Sequence, residues 1–183
     1  MRLFTALDMP PSALAAFIAA EASLKERILG RRWQRSENAH LTLQFLGEAP
    51  EQALPGLKRE LRDACAAISP FDLALGNLGT FGGRRARVLW LGIDGDVEAL
   101  RALEIATREA IIRLGHALET RRYSPHITLC RELEQPVDLA ELESEVAIER
   151  VAWGVETAVL YHSDLTPQGP CYTALERFPL GAR

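Results

Sequence analysis

Two of the four histidines open the same short pattern, His40-Leu41-Thr42-Leu43 and His126-Ile127-Thr128-Leu129, each within an apolar run that reads as a β-strand. Side chains alternate along a strand, so His40 and Thr42 share one face while Leu41 and Leu43 share the other. The same holds for His126 and Thr128 against Ile127 and Leu129. An imidazole takes up or gives a proton near neutral pH. A neighbouring hydroxyl can donate to the charge that builds on a phosphate oxygen. Two of each, converging on one cleft, would form a metal-free site for acid–base chemistry at phosphorus. Repetition gives this reading its weight, because a lone histidine on a half-buried strand is more often a hydrogen-bonded structural residue.

The elements that must carry these motifs follow from pattern and punctuation. The chain reads as a strand over residues 2–7, then a helix opened by Pro10-Pro11-Ser12 and stopped by Gly30. The first motif strand, 40–47, a helix over 51–68 and a strand over 71–78 complete the first half. Residues 79–83, Gly-Thr-Phe-Gly-Gly, read as a flexible link. The second half repeats the order: a strand over 87–93, a helix over 97–114 ended by Gly115, the second motif strand, a short helix over 139–147, and strands over 151–162 and 171–178. This is an internal duplication by order and spacing. It implies an α+β fold of two pseudo-symmetric lobes, residues 1–80 and 86–183, within a single domain. Each lobe is an antiparallel sheet with helices on its outer face, flanking a central active-site groove, with an exchange of terminal strands left open.

Composition narrows the classes. At 183 residues the chain is long enough to bury its own core. No membrane-length apolar run or signal peptide is evident, so the expected location is cytoplasmic. Three cysteines, Cys65, Cys130 and Cys171, stand too far apart for a zinc or redox pair. A formal net charge of −4 argues against a protein that coats nucleic acid. Arginines nevertheless cluster before the first motif (Arg27, Arg31, Arg32, Arg35), before the second half's first strand (Arg84, Arg85, Arg87) and around the second motif (Arg121, Arg122, Arg131). A local positive rim around the motifs is one reading of them, ordinary solvated charge the other. His116 and His162 fall outside the pattern, and no third His or Cys stands beside either motif at zinc-ligand spacing.

The paired motifs, with Arg2-Leu3-Phe4-Thr5-Ala6-Leu7, Gln44-Phe45-Leu46-Gly47, Ser124-Pro125 before His126, and Gly169-Pro170-Cys171-Tyr172, give a chain that closely resembles the two-histidine phosphoesterase superfamily. Within it, the chain is most similar to the RNA 2′,3′-cyclic phosphodiesterases, also called 2′-5′ RNA ligases. The resemblance implies hydrolysis of RNA 2′,3′-cyclic phosphate ends to 2′-phosphomonoesters without a metal or other cofactor. It implies His40 as proton donor, His126 as proton acceptor, and Thr42, Thr128 and Arg131 as phosphate contacts. The pattern itself, being symmetric, does not say which histidine is which.

Phe4, Trp33, Trp90 and Tyr123 lie near the motif strands in sequence and are candidates for stacking on a base, against the commoner role of core aromatics. The expected partners are RNA ends or nucleoside 2′,3′-cyclic phosphates, with no membrane, no obligate protein partner and a monomeric state. Two other functions stay open: cleavage or reversible joining of 2′-5′ linkages at the same site, and non-catalytic capture of RNA ends.

Overall fold

The computed structural model describes residues 1–83, 86–167 and 169–181. Arg84 and Arg85 of the second basic cluster lie outside the described residues. Among the described residues nine strands form two antiparallel sheets. The strands are β1 (Arg2–Asp8), β2 (Gly30–Trp33), β3 (His40–Glu48), β4 (Phe71–Phe81), β5 (Val88–Gly95), β6 (His126–Leu133), β7 (Ala152–Val155), β8 (Thr157–Thr166) and β9 (Gly169–Pro179). The first sheet runs β3-β1-β8-β9 and the second β2-β6-β5-β4-β7. Each sheet holds one motif strand, and neither is built from one expected lobe alone: β2 and β4 join the sheet of the second motif, while β8 and β9 join that of the first.

Four helices cover the sheets: α1 (Pro11–Lys25), α2 (Leu54–Ala66), α3 (Val97–Arg113) and α4 (Leu139–Glu145). Asp96 caps α3 by accepting from the Ala99 amide at 2.9 Å, and Asp138 caps α4 by accepting from Ala140 and Glu141, so orphan donors of each first turn are satisfied. Helix α2 packs on β8 and β9, while α3 lies across β3 and β4 and so spans both sheets. Leu41, Leu43, Ile127 and Leu129 point into the core beneath, and each is almost wholly buried. Their burial is worth roughly 1.5–3 kcal/mol apiece, which fixes which way the intervening histidines and threonines must face.

Three differences from the sequence reading bear on how the sheets are built. Helix α1 ends at Lys25, and Gly30 begins a strand that the pattern did not reveal. Gly30 is small because β2 lies tight against β6: a Cβ there would come within 2.3 Å of the Cys130 sulfur. The expected link over 79–83 is in part strand, since β4 continues to Phe81 and pairs with Val88. The single strand expected over 151–162 is two, β7 pairing with β4 and β8 with β1.

Candidate active site

His40 opens β3 at the edge of the first sheet. Its Nδ1 lies 2.7 Å from the Asn38 carbonyl. A carbonyl only accepts, so Nδ1 carries the proton and Nε2 is left to act on whatever enters the groove. Phe4 backs the ring at 4.9 Å and Tyr172 meets it edge-on at 5.3 Å. Burial holds the His40 imidazole below its ordinary pKa. The Asn38 carbonyl and the Asp8 carboxylate, from the residue paired with His40 across the ladder, pull it back up, and the charges of His126 and Arg131 push it down. The two imidazoles, carried by different sheets, therefore share one electrostatic environment.

His126 opens β6 in the same manner. Its Nδ1–H donates to the Ser124 carbonyl at 2.7 Å, again two residues upstream, so both halves use one backbone hook to fix the tautomer. Phe81 stands edge-on to the ring at 4.8 Å, and Trp90 lies at 6.0 Å. Trp90 lies flat over Gly79, where a Cβ would come within 2.1 Å of the indole; glycine at 79 is what lets that wall close on His126. Burial lowers the His126 pKa, the Ser124 carbonyl raises it and Arg131 lowers it further. Among the described residues, no carboxylate acts on His126 as Asp8 does on His40.

The two motif strands touch although they belong to different sheets. Tyr123, three residues before His126, donates its hydroxyl to the Thr42 carbonyl at 3.1 Å, which ties the second motif's approach loop to the first motif strand.

Matching irregularities in the ladders set what else faces the groove. Trp90 pairs with Thr128 but Leu89 pairs with Cys130, so Leu129 is an extra residue on β6. Likewise Ala6 pairs with Thr42 and Thr5 with Gln44, leaving Leu43 extra on β3. Each is a β-bulge, which resets the alternation of every residue beyond it. Strict period two would point Arg131 away from Thr128. The bulge returns Arg131 to the same face, where its Nη2 donates to the Thr128 hydroxyl at 3.4 Å. The corresponding residue of the first half is Phe45, which is 57% exposed and 5.9 Å from Phe4. Sequence reasoning missed Phe45 as a site residue. Its signal was available: a large aromatic five places after the motif histidine, as Arg131 is five places after the other.

The four aromatic candidates divide. Phe4 and Trp90 reach the site, but as walls behind the histidines. Phe4 is 2% exposed and offers no free face to a base. Trp33 pairs with Cys130, which is core-facing; its ring carries the Lys25 ammonium 5.4 Å from its centre and turns away from the groove. Tyr123 is engaged with Thr42 and desolvated, which raises its pKa, so it braces the site instead of stacking. The first arginine cluster is also not a positive rim: Arg27, Arg31, Arg32 and Arg35 each pair with a glutamate.

A cavity of about 230 Å³ adjoins His40, bounded by Asp8, Asn38, Tyr161 and Tyr172 among others. Among the described residues no three His, Cys, Asp or Glu side chains gather as a metal-holding group, and no helix is long and apolar enough to cross a membrane.

The 2′-5′ RNA ligase superfamily matches residues 10–167. An RNA 2′,3′-cyclic phosphodiesterase of Geobacillus stearothermophilus is 35% identical over 184 residues, covering 97% of this chain; the chain spans 56% of that relative's length. Another, from Methanothermobacter thermautotrophicus, is 31% identical, with 98% of this chain and 99% of the relative covered. Among solved structures, TT0787 of Thermus thermophilus superposes with a TM-score of 0.84 at 30% identity over the whole of both chains. E. coli LigT complexed with 3′-AMP gives 0.81 at 29% identity, covering 98% of this chain and 97% of that one.

Proposed function

Because the chain belongs to the 2′-5′ RNA ligase superfamily, we propose that its groove opens RNA 2′,3′-cyclic phosphate ends to 2′-phosphomonoesters. The observation that carries this reading is the pair of imidazoles, one from each sheet, each held by Nδ1 to a carbonyl two residues upstream with Nε2 free. Hydrolysis of a cyclic diester needs a base on the attacking water and an acid on the departing ribose oxygen, on opposite sides of phosphorus. His126 takes the water proton as the new P–O bond forms. His40 gives its proton to the 3′ oxygen as the old bond breaks, leaving the phosphate on the 2′ oxygen.

The family resemblance implies His40 as acid and His126 as base, and one difference in their surroundings supports it. The carboxylate of Asp8 favours the protonated form of His40, and none of the described carboxylates does so for His126. Thr42, Thr128 and Arg131 hold the non-bridging oxygens. The exposed ring of Phe45 takes the base. The two halves act as one unit, since each supplies one motif. The protein works as a monomer in the cytoplasm, in keeping with three free cysteines.

The test is direct: wild-type protein, a nucleoside 2′,3′-cyclic phosphate and a chelator, with the product isomer resolved by chromatography. The 2′ isomer is expected; recovery of unchanged substrate would leave only RNA-end capture. The same chemistry run on 2′-5′ linked oligonucleotides is the second reading, favoured by the reversibility of an acid–base pair that needs no nucleotide cofactor. Rates on the two substrates separate them.

Asp8→Asn tests the assignment of roles. Asp8 accepts from the Tyr161 hydroxyl and from Arg177 Nη1 at 2.6 Å; asparagine keeps an oxygen for Tyr161 and removes the charge. His40 then loses a group that raises its pKa, so the alkaline limb of the pH–kcat/KM profile moves to lower pH while the acid limb stays. Were His40 the base, the acid limb would move instead.

A further inference from the structure

Beyond the contacts to the reacting phosphate, the groove carries a second cation, unpaired among the described residues. In β1, Arg2 shares a face with Phe4 and Ala6, whose partners across the ladder are Phe45 and Thr42. A second bulge leaves Leu46 extra on β3 between Leu3 and Phe4, but β1 itself carries no extra residue, so its steps of two, about 6.6 Å each at ~3.3 Å per residue, set the Thr42 hydroxyl, the exposed Phe45 ring and the Arg2 guanidinium along one face. Arg2 is exposed and makes no hydrogen bond or ion pair with any described residue. Glu48, its cross-strand neighbour, pairs instead with the terminal amine at 3.3 Å. The Tyr172 ring meets His40 edge-on at 5.3 Å, and the charges of both Arg131 and Arg2 act on its hydroxyl, in keeping with the placement of Arg2 on the groove face of β1.

Phosphate contact, aromatic platform, cation is the order in which a polynucleotide presents phosphate, base and next phosphate. We propose that Arg2 holds the phosphodiester one step upstream of the reacting end, so that the site discriminates an RNA terminus from a free cyclic mononucleotide. A chain with net charge −4 has no general attraction for RNA, and polymer preference must come from such local contacts. This inference rests on the cyclic-phosphodiesterase reading and adds the residue that tells polymer from mononucleotide.

The experiment compares wild type, Arg2→Ala and Arg2→Lys on a nucleoside 2′,3′-cyclic phosphate and on a short oligoribonucleotide ending in one, across a salt series. For Arg2→Ala the ratio of kcat/KM on RNA to that on the mononucleotide falls about tenfold, through KM, and the log–log salt slope on RNA shrinks by about one. Lysine, keeping the charge, restores much of both. Equal losses on the two substrates, or an unchanged ratio and slope, overturn the proposal while leaving the parent activity standing. A wild type that opens neither substrate overturns both.

Discussion

Replacing His126 by alanine is expected to lower kcat on a 2′,3′-cyclic nucleotide by about 10²–10⁴-fold, and replacing His40 to do the same. The magnitude follows from what each ring supplies. Without His126 nothing described in the groove takes the water proton, since Asp8 is occupied by Tyr161 and Arg177. Without His40 the ribose oxygen must leave as an alkoxide. Both imidazoles sit below their ordinary pKa when the groove is empty. An arriving phosphate anion favours the protonated form of either ring, and at His40 the Asp8 carboxylate acts in the same direction. Each ring gives up one hydrogen bond to a carbonyl, worth about 1 kcal/mol net, and its packing on two aromatic neighbours, but the leucine and isoleucine core beneath the sheets is untouched, so both variants should stay folded with lowered stability. The double variant should be little slower than either single one, because acid and base act as a unit. Steady-state turnover beside a thermal melt checks this. Folded variants that retain rates within a few-fold of wild type would remove the acid–base mechanism altogether.

How much of this was legible beforehand depends on whether a feature is local. The facing of His40 with Thr42 and of His126 with Thr128 is a consequence of alternation between buried leucines and isoleucine, and it could be read from four residues. The succession of strands and helices around each motif was legible from apolar period and from proline and glycine punctuation. Features set by pairing across the sheet were not. Arg131 stands three places after Thr128, an odd interval that puts it on the wrong face unless Leu129 bulges, and a bulge is decided by the partner strand. Phe45 was hidden by the same device. Trp33 and Trp90 look alike in sequence; register alone turns one toward the core beside Cys130 and the other toward His126. Asp8 acts on His40 only because β1 and β3 pair. Strand β2 is short and flanked by arginines, so nothing apolar announces it.

Thr42→Val and Thr128→Val should each lower kcat by about 10²–10³-fold with a smaller change in KM. Valine keeps the shape and the β-branched preference for a strand, so only the hydroxyl is lost. A donor aimed at the non-bridging oxygens matters most when their charge is greatest, near the transition state, and its removal therefore falls on turnover more than on binding. The two sites are not equivalent. Thr128 also accepts from Arg131 at 3.4 Å, so valine there frees the guanidinium from its anchor as well as deleting a donor, and Thr128→Val should be the slower of the pair. On the side of Thr42, Phe45 occupies the place corresponding to Arg131, so no guanidinium is released there. Serine, which returns the hydroxyl without the methyl, should recover most of the rate at both positions. Separate kcat and KM values for the four variants decide the matter: valine variants near wild-type turnover, or serine variants no better than valine, would reduce both threonines to strand formers.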